Sequence, residues 1–278
     1  MKQDISLITV TYNSEKIIAD FLNQKEINLF KEVIVIDNNS NDDTSKIIKE
    51  KFPDIKLHVN IENIGFGSAM NFGAKIAKNK KVLLINPDTF FTKNFLKNLI
   101  FAIQEKPNFE VLLPTLIDYG CAVPNNNLEI KFLEPTVYGS CFLVNLEKFH
   151  NKIIFDENIF LFFEDYDLIK NLERKNERKI TINNCYLIFK RGESSISKNI
   201  IKIKNWHYGW SYCYTLKKFN SSRVYKRILI KYFLKNFKRC FIFLLVLNFH
   251  RLYEIVCRLK GSIAFLRGVD AKKIGGNF

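Results

Sequence analysis

The chain has 278 residues, 47% of them hydrophobic, which suits one large domain, or one domain with an appendage, and excludes a disordered chain. The net charge of +15 is unevenly spread: residues 1–197 carry 25 Lys+Arg against 26 Asp+Glu, whereas residues 198–278 carry 18 against 2. That asymmetry points to a polyanionic partner for the C-terminal part, either an anionic membrane surface or nucleic acid.

Met1-Lys2-Gln3-Asp4 leads straight into an apolar run, so no signal peptide is expected. Ile5–Val10 is β-branched and reads as a buried strand, and Asn13-Ser14 offers an N-cap to a helix over Glu15–Gln24. Val33–Ile36 is a second strand; Asn41-Asp42-Asp43 caps a helix reaching Phe52, where Pro53 ends it. Ile55–Val59 is a third strand, Phe66–Ala77 a helix, Lys81–Ile85 a fourth strand and Lys93–Glu105 a helix with Thr92 as its best-placed N-cap. From 107 to 200 the pattern is less regular, with strand-like pieces at Val111–Leu113, Cys141–Val144 and Tyr186–Phe189. From Ile200 onward it turns helical, aromatic and basic. The β-α-β-α rhythm predicts an α/β fold whose mostly parallel sheet is covered on both faces.

Ligands of such sheets sit beyond the carboxyl ends of the strands. Three strand ends deliver polar clusters there: Thr11-Tyr12-Asn13, Asp37-Asn38-Asn39 and Asn86-Pro87-Asp88. Asp37 is either a turn and capping residue or an acceptor for a base N–H or a ribose hydroxyl. Pro87 fixes the turn before Asp88, whose single hard oxygen could hold Mg²⁺ or Mn²⁺ on a diphosphate. Asn63-Ile64-Gly65-Phe66-Gly67 is no dinucleotide fingerprint, because the first strand-helix turn lacks glycine; its glycines more plausibly let backbone approach a ligand at a helix N-terminus.

Glu164-Asp165-Tyr166-Asp167 lies among Phe155, Phe160, Phe162, Phe163 and Leu168. Mutual repulsion and apolar flanks would raise at least one carboxyl pKa toward that of a general base; a helix N-terminus, which favours acids, is the plainer reading. His207 is either a phosphate ligand or a packed histidine, and Lys190-Arg191 either a diphosphate-binding pair or a solvated loop. The six cysteines form no CxxC pair and no metal-ligand spacing, which suggests free thiols in a reducing compartment. The longest apolar run, Cys240–Leu247, falls short of the roughly 20 residues that span a bilayer.

Taken together, VTYNS (10–14), VIVIDNNSNDDT (33–44), NIGFGSAMNFG (63–73), LLINPDT (83–89), GSCFLV (139–144) and FDENIFLFFEDYDLIKNLERKN (155–176) resemble the family 2 glycosyltransferases of GT-A fold, and within them the bacterial rhamnosyltransferase-like group. Each string is moderately specific, and six in order across residues 4–215 are very specific. The resemblance implies a catalytic domain over 1–200, with a nucleotide-binding half about 1–106 and an acceptor half about 107–200. A helical basic extension covers 201–278. It implies Thr11, Asn13 and Asp37 in the nucleotide pocket, Asn63, Gly65, Phe66 and Asn71 near the donor, Gly139 and Ser140 under the sugar, and Asp88 as metal ligand. Glu164-Asp165 resembles the catalytic-base motif, with Asp165 as base and Asp167 bracing the segment.

Relatives often carry a second metal ligand where this chain has Phe189-Lys190-Arg191. Two readings follow: a divalent-metal enzyme, or one with partial or no metal dependence in which Lys190 or Arg191 neutralises the diphosphate. The implied reaction is inverting transfer of a sugar, rhamnose by analogy, from a nucleoside-diphosphate donor to a hydroxyl of a glycan or lipid-linked glycan, as in O-antigen or capsule synthesis. Lys226–Lys238 interleaves cations with apolar residues, which suits an amphipathic segment on an anionic membrane or, alternatively, a helical pair packed on the domain with a solvated basic face. The expected location is cytoplasmic, peripheral on the inner membrane. A basic nucleic-acid-binding protein and a catalytically dead sugar-nucleotide binder are the competing readings. The tail carries no nucleic-acid motif, and the paired presence of Asp88 and Asp165 argues against the second.

Overall fold

The computed structural model describes residues 2–124, 140–174, 179–190 and 198–272. Four strands run parallel at one side of a single sheet: β1 (Gln3–Thr11), β2 (Phe30–Asp37), β3 (Lys56–Val59) and β4 (Lys81–Ile85). The other side is mixed, built from β5 (Thr89–Phe91), β6 (Val111–Asp118), β7 (Cys141–Asn145) and β8 (Lys179–Phe189). The order is β3-β2-β1-β4-β7-β6-β8-β5, with β7 antiparallel to both neighbours and β6 parallel to β8.

Alternation along the strands feeds two cores. Leu7, Val35 and Leu83 point to one face, with Ile18 and Phe21 of α1 (Ile18–Leu22), Ile48 of α2 (Thr44–Lys51) and Phe95 and Leu99 of α4 (Phe95–Glu105). Ile8, Ile34, Ile36 and Leu84 point to the other, with Met70 of α3 (Phe66–Ile76) and Leu168 and Leu172 of α5 (Glu164–Arg174). Burial on both faces explains why the central strands read as unbroken apolar runs.

Three local expectations need correction. The first helix is shorter, Ile18–Leu22, and receives no side-chain cap; instead the Ser14 carbonyl accepts the amides of Ile17 and Ile18. Thr92 does not cap α4, because its hydroxyl donates to the Tyr186 carbonyl and so ties β8 to the segment before α4. Strand β5 was not foreseen. It is three residues long and is recognised through its antiparallel pairing with β8 and through Gln24, whose amide brackets it by bonds to the Thr89 carbonyl and the Phe91 amide.

Three helices complete the described chain: α6 (Lys198–Phe219), α7 (Ser222–Leu245) and α8 (Phe249–Leu266). Helix α6 lies on the α5 segment. Ser211 donates to the Leu161 carbonyl, Tyr214 to Asp156, and Lys218 bridges Asp156 and Asp167 at 2.7 and 2.6 Å. Trp206 and Trp210 pack with Phe160 and Ala271 in a third, smaller core.

Candidate active site

The loops after β1 and β2 are laced together. Asp37 is fully buried and accepts from Thr11 Oγ1 at 2.7 Å, Ser40 Oγ at 2.6 Å, Ser45 Oγ at 2.8 Å and the Ser40 amide at 3.0 Å. Four donors fill the acceptor capacity of a carboxylate. Thr11 and Asp37 therefore shape the loop from beneath. Asn13, at φ +51°, likewise spends its backbone amide on Ser40 Oγ and its side-chain oxygen on the Asn41 amide.

Above this lacing is a cavity of about 190 Å³ lined by Tyr12, Asn38, Asn63, Gly65, Phe66 and Lys204, among others. Asn38 was noticed only as part of a polar cluster, yet it organises this wall. It donates to the Gly65 carbonyl at 3.1 Å and accepts from Asn60 at 2.8 Å. Asn63 accepts the Gly65 amide at 3.0 Å. Gly65 sits at φ +88°, where a Cβ would lie 2.6 Å from the Phe160 carbonyl oxygen, and a Cβ on Gly67 would meet Phe155 at 3.0 Å. The two glycines thus admit the 155–160 segment of the protein itself, while Gly65 also lines the cavity.

A second cavity, of about 250 Å³, shares Phe66 and Leu161 with the first and is lined by Asn86, Ser140, Phe163, Glu164 and Asp165. Phe162 and Phe163 lead into α5 at φ +67° and +69°, two successive left-handed residues that aim Glu164 and Asp165 across the cavity. Glu164 is 7% exposed, and its Oε2 is buried without a hydrogen-bond partner among the described residues. Burial, helped by the neighbouring Asp165 charge, pushes its pKa up to about 8, so it is mostly protonated at neutral pH. Asp165 is more open and accepts its successor's amide at 2.7 Å. Asp167 faces away and pairs with Lys218.

Lys204 lines the first cavity and interacts electrostatically with Asp88. Asp88 Oδ1 is buried with no hydrogen-bond donor among the described residues, and burial raises its carboxyl to about 6 against the opposing pull of Lys204. Burial also lowers the Lys204 ammonium, with Asp88 acting the other way. Among the described residues no three of His, Cys, Asp and Glu gather around one point. A single undonated carboxylate oxygen nevertheless fits a hard divalent cation whose other ligands come from phosphate and water.

The remaining candidates are placed differently from expectation. Lys190 gives its backbone amide to the Asp88 carbonyl and lays its ammonium over the Tyr119 ring at 5.6 Å. Asn71 is fully buried away from both cavities. It donates to the Phe155 carbonyl and accepts the Ile154 and Phe155 amides, so it anchors the loop that Gly65 and Gly67 admit. His207 is fully buried and stacked on Phe160 at 4.3 Å, and burial pulls its pKa down to about 3, so it is a packed neutral ring with no surface for phosphate. Gly139 and Arg191 lie outside the described residues. Lys204 was missed, because it lies 116 residues beyond Asp88 in a helix whose docking no local pattern announces.

A family model described as glycosyl transferase family 2 matches residues 6–168. The poly(ribitol-phosphate) β-N-acetylglucosaminyltransferase TarS of Staphylococcus aureus is 29% identical over 171 residues, 58% of this chain and 30% of that one. The SPβ prophage-derived glycosyltransferase SunS of Bacillus subtilis is 27% identical over 203 residues, 65% of this chain and 45% of that one. The chain thus spans less than half the length of these relatives. Among solved structures, residues 1–349 of S. aureus TarS superpose with a TM-score of 0.56 at 19% identity, over 96% of this chain and 92% of that one. The mannosyltransferase PcManGT of Pyrobaculum calidifontis, in complex with GDP-Man and Mn²⁺, gives 0.59 at 14% identity, over 96% and 88%. These neighbours have the GT-A fold, and this chain shares it with a C-terminal helical region added.

Proposed function

The chain belongs to glycosyl transferase family 2, and on that premise we propose that it transfers a sugar, with inversion, from a nucleoside diphosphate to a hydroxyl of a glycan or lipid-linked glycan of a bacterial surface polysaccharide. The observation that carries the reading is the pair of joined cavities. One is lined by Lys204, which interacts electrostatically with the undonated Asp88 carboxylate, the other by Glu164 and Asp165. Donor diphosphate in the first and acceptor in the second would meet at Phe66 and Leu161. Residues 1–200 supply the catalytic unit in this reading, and 201–278 the extension.

Asp165 takes the proton of the acceptor hydroxyl as that oxygen attacks the anomeric carbon and the bond to the diphosphate breaks. Glu164, protonated, leaves Asp165 as the one anion of the pair and keeps repulsion out of the cavity. Lys204 offsets charge on the departing diphosphate. A divalent cation held by Asp88 would add Lewis-acid neutralisation of the same charge.

The motif set favours rhamnose as the sugar, whereas the name of the TarS relative favours an N-acetylhexosamine. A thermal-shift screen over dTDP-, UDP- and GDP-sugars separates the two. The test of the mechanism is Asp165→Asn, which should keep donor binding and lose about 10²–10⁴ in turnover. Transfer at the parent rate would remove Asp165 from the role.

We also place the extension on an anionic membrane. Ile230, Leu234, Phe237 and Phe241 recur at helical spacing along α7 and are 58–64% exposed, with Lys226, Arg227, Lys231, Lys235 and Lys238 interspersed. No helix among the described residues is long and apolar enough to cross a membrane.

A further inference from the structure

The three C-terminal helices line an open cleft of about 330 Å³, distinct from the two cavities above, in which Lys231, Lys235 and Arg239 are exposed. Its polar lining is Lys231, Lys235, Arg239, Arg258 and Asn236, and its walls include Tyr208, Tyr212 and Tyr232. No carboxylate of the described residues lines it. None of the four cations is ion-paired with a carboxylate of the described residues, although Glu254 of α8 binds Arg251 nearby. Arg258 is held in place by Asn205 at 2.8 Å and by the Tyr208 ring at 4.3 Å, and its Nε is buried with no partner among the described residues. Asn236 is 3% exposed. Four converging cations with no anion among them repel one another, and the arrangement is relieved when an anion enters. Guanidinium forks and tyrosine hydroxyls suit the tetrahedral oxygens of phosphate.

The cavity backs onto the catalytic one. Tyr208 and Tyr212 line it, and their rings meet Phe163 at 5.1 and 5.8 Å. Phe163 in turn lines the cavity of Glu164 and Asp165. These rings therefore lie between the basic cleft and the proposed base, and both clefts are open to solvent, so one acceptor can extend from one to the other over them. Lys204 lines the cavity assigned above to the donor diphosphate, so in that reading this second basic site serves a different phosphate.

We propose that the cavity formed by Lys231, Lys235, Arg239 and Arg258 binds a phosphate or diphosphate ester carried by the acceptor, fixing the acceptor while its sugar hydroxyl reaches Asp165. The inference rests on the glycosyltransferase reading for the word acceptor, but not for the binding of phosphate. Calorimetric titration with inorganic pyrophosphate, in the presence of excess nucleoside diphosphate to fill the donor site, tests the binding alone. The full chain should bind, and the K231A/R239A double variant and Lys235→Glu should each weaken binding at least tenfold. Circular dichroism and melting curves check that the variants are folded. Repeating the titration with a short-chain prenyl diphosphate distinguishes sources: tighter binding than pyrophosphate assigns a lipid-linked phosphate, and equal binding assigns the phosphate alone. In transfer assays the variants should raise KM for a phosphorylated acceptor about tenfold more than for the same glycan without phosphate. No pyrophosphate binding by the parent chain, or parent-level binding by both folded variants, overturns the proposal. Binding that follows the prediction in a chain that transfers no sugar would instead count against the enzymatic reading alone.

Discussion

Glu164 and His207 are both buried ionisable groups, and their opposite shifts give opposite acid-base signatures. Glu164 has its carboxyl raised from 4.5 to about 8, so the folded chain holds a proton there that the unfolded chain releases. Its contribution to stability is intact below pH 4.5 and is lost as pH rises to about 8. Glu164→Gln should flatten the pH dependence of the melting temperature in that window, and an unchanged slope would show that Glu164 is solvated. His207 has the reverse sign. Its ring is lowered from 6.5 to about 3, so stability is present above 6.5 and falls as pH drops toward 3, and His207→Phe should remove that part of the acid sensitivity. Asp88 sets a third pH dependence, on ligand rather than on fold. A carboxyl at about 6 exchanges its proton for a cation, so stabilisation of the nucleoside-diphosphate complex by Mn²⁺ should weaken below pH 6 and be absent in Asp88→Asn at every pH. A thermal-shift series with and without Mn²⁺ reads this directly. Asp88 was legible as a candidate from its place at a strand end and the acidic cluster from its apolar flanks, because such features announce themselves locally. The saturation of Asp37 by four donors and the burial of Asn71 were not legible, because each depends on partners brought from elsewhere in the chain, whereas the packed reading of His207 was one of the two its aromatic neighbours offered.

At the level of elements, the parallel strands β1–β4 were legible from apolar runs separated by helical segments, while the mixed half was not. Strand β6 reads as three residues in sequence and spans eight in the fold, because its outer part, Thr115–Asp118, is held by pairing with Tyr186–Phe189 rather than by its own hydrophobicity. The most consequential element, α6, carries no strong one-sided pattern because it is contacted on several sides: by Leu161, by Asp156 and Asp167, and by α8. Its crossing with α8 is made close by two glycines. A Cβ on Gly209 would fall within the Arg258 carbonyl, and one on Gly261 within the Trp206 carbonyl. Neither obstacle is a flexible side chain, so the helices must separate. Gly261→Ala should therefore destabilise by about 1–3 kcal/mol or more, the range for overpacked sites. It should also lower activity in the surviving folded fraction, because α6 carries Lys204 and Lys218. A melting curve and a rate at low temperature together check this. Destabilisation with a normal rate would mean that α6 holds its place without α8.

On the scale of the whole molecule, charge and apolar exposure are concentrated in the same part. The balance of −1 over residues 1–197 and +16 over 198–278 leaves the N-terminal part nearly neutral and the C-terminal helices strongly cationic. Charge alone would give a salt-sensitive attraction to any polyanion. What distinguishes a membrane is the apolar component, and here it is large: Leu244, Leu245, Val246, Leu247 and Phe249, at the turn between α7 and α8, are 51–70% exposed and adjoin Phe241. Leaving such a cluster in water is unfavourable in proportion to its area, and inserting it at the headgroup boundary relieves that cost while the lysines remain at the phosphates. The two components separate experimentally. Flotation with vesicles containing anionic phospholipid should carry the full chain, and raising salt to 1 M should weaken but not abolish the association, because only the electrostatic part is screened. Replacing Phe241 and Leu245 by Ser should weaken flotation at both salt concentrations without shifting the melting temperature, since both side chains are already exposed. Complete release at high salt, with the Ser variant behaving as the parent, would show an ordinary cationic surface and leave the apolar turn for another partner.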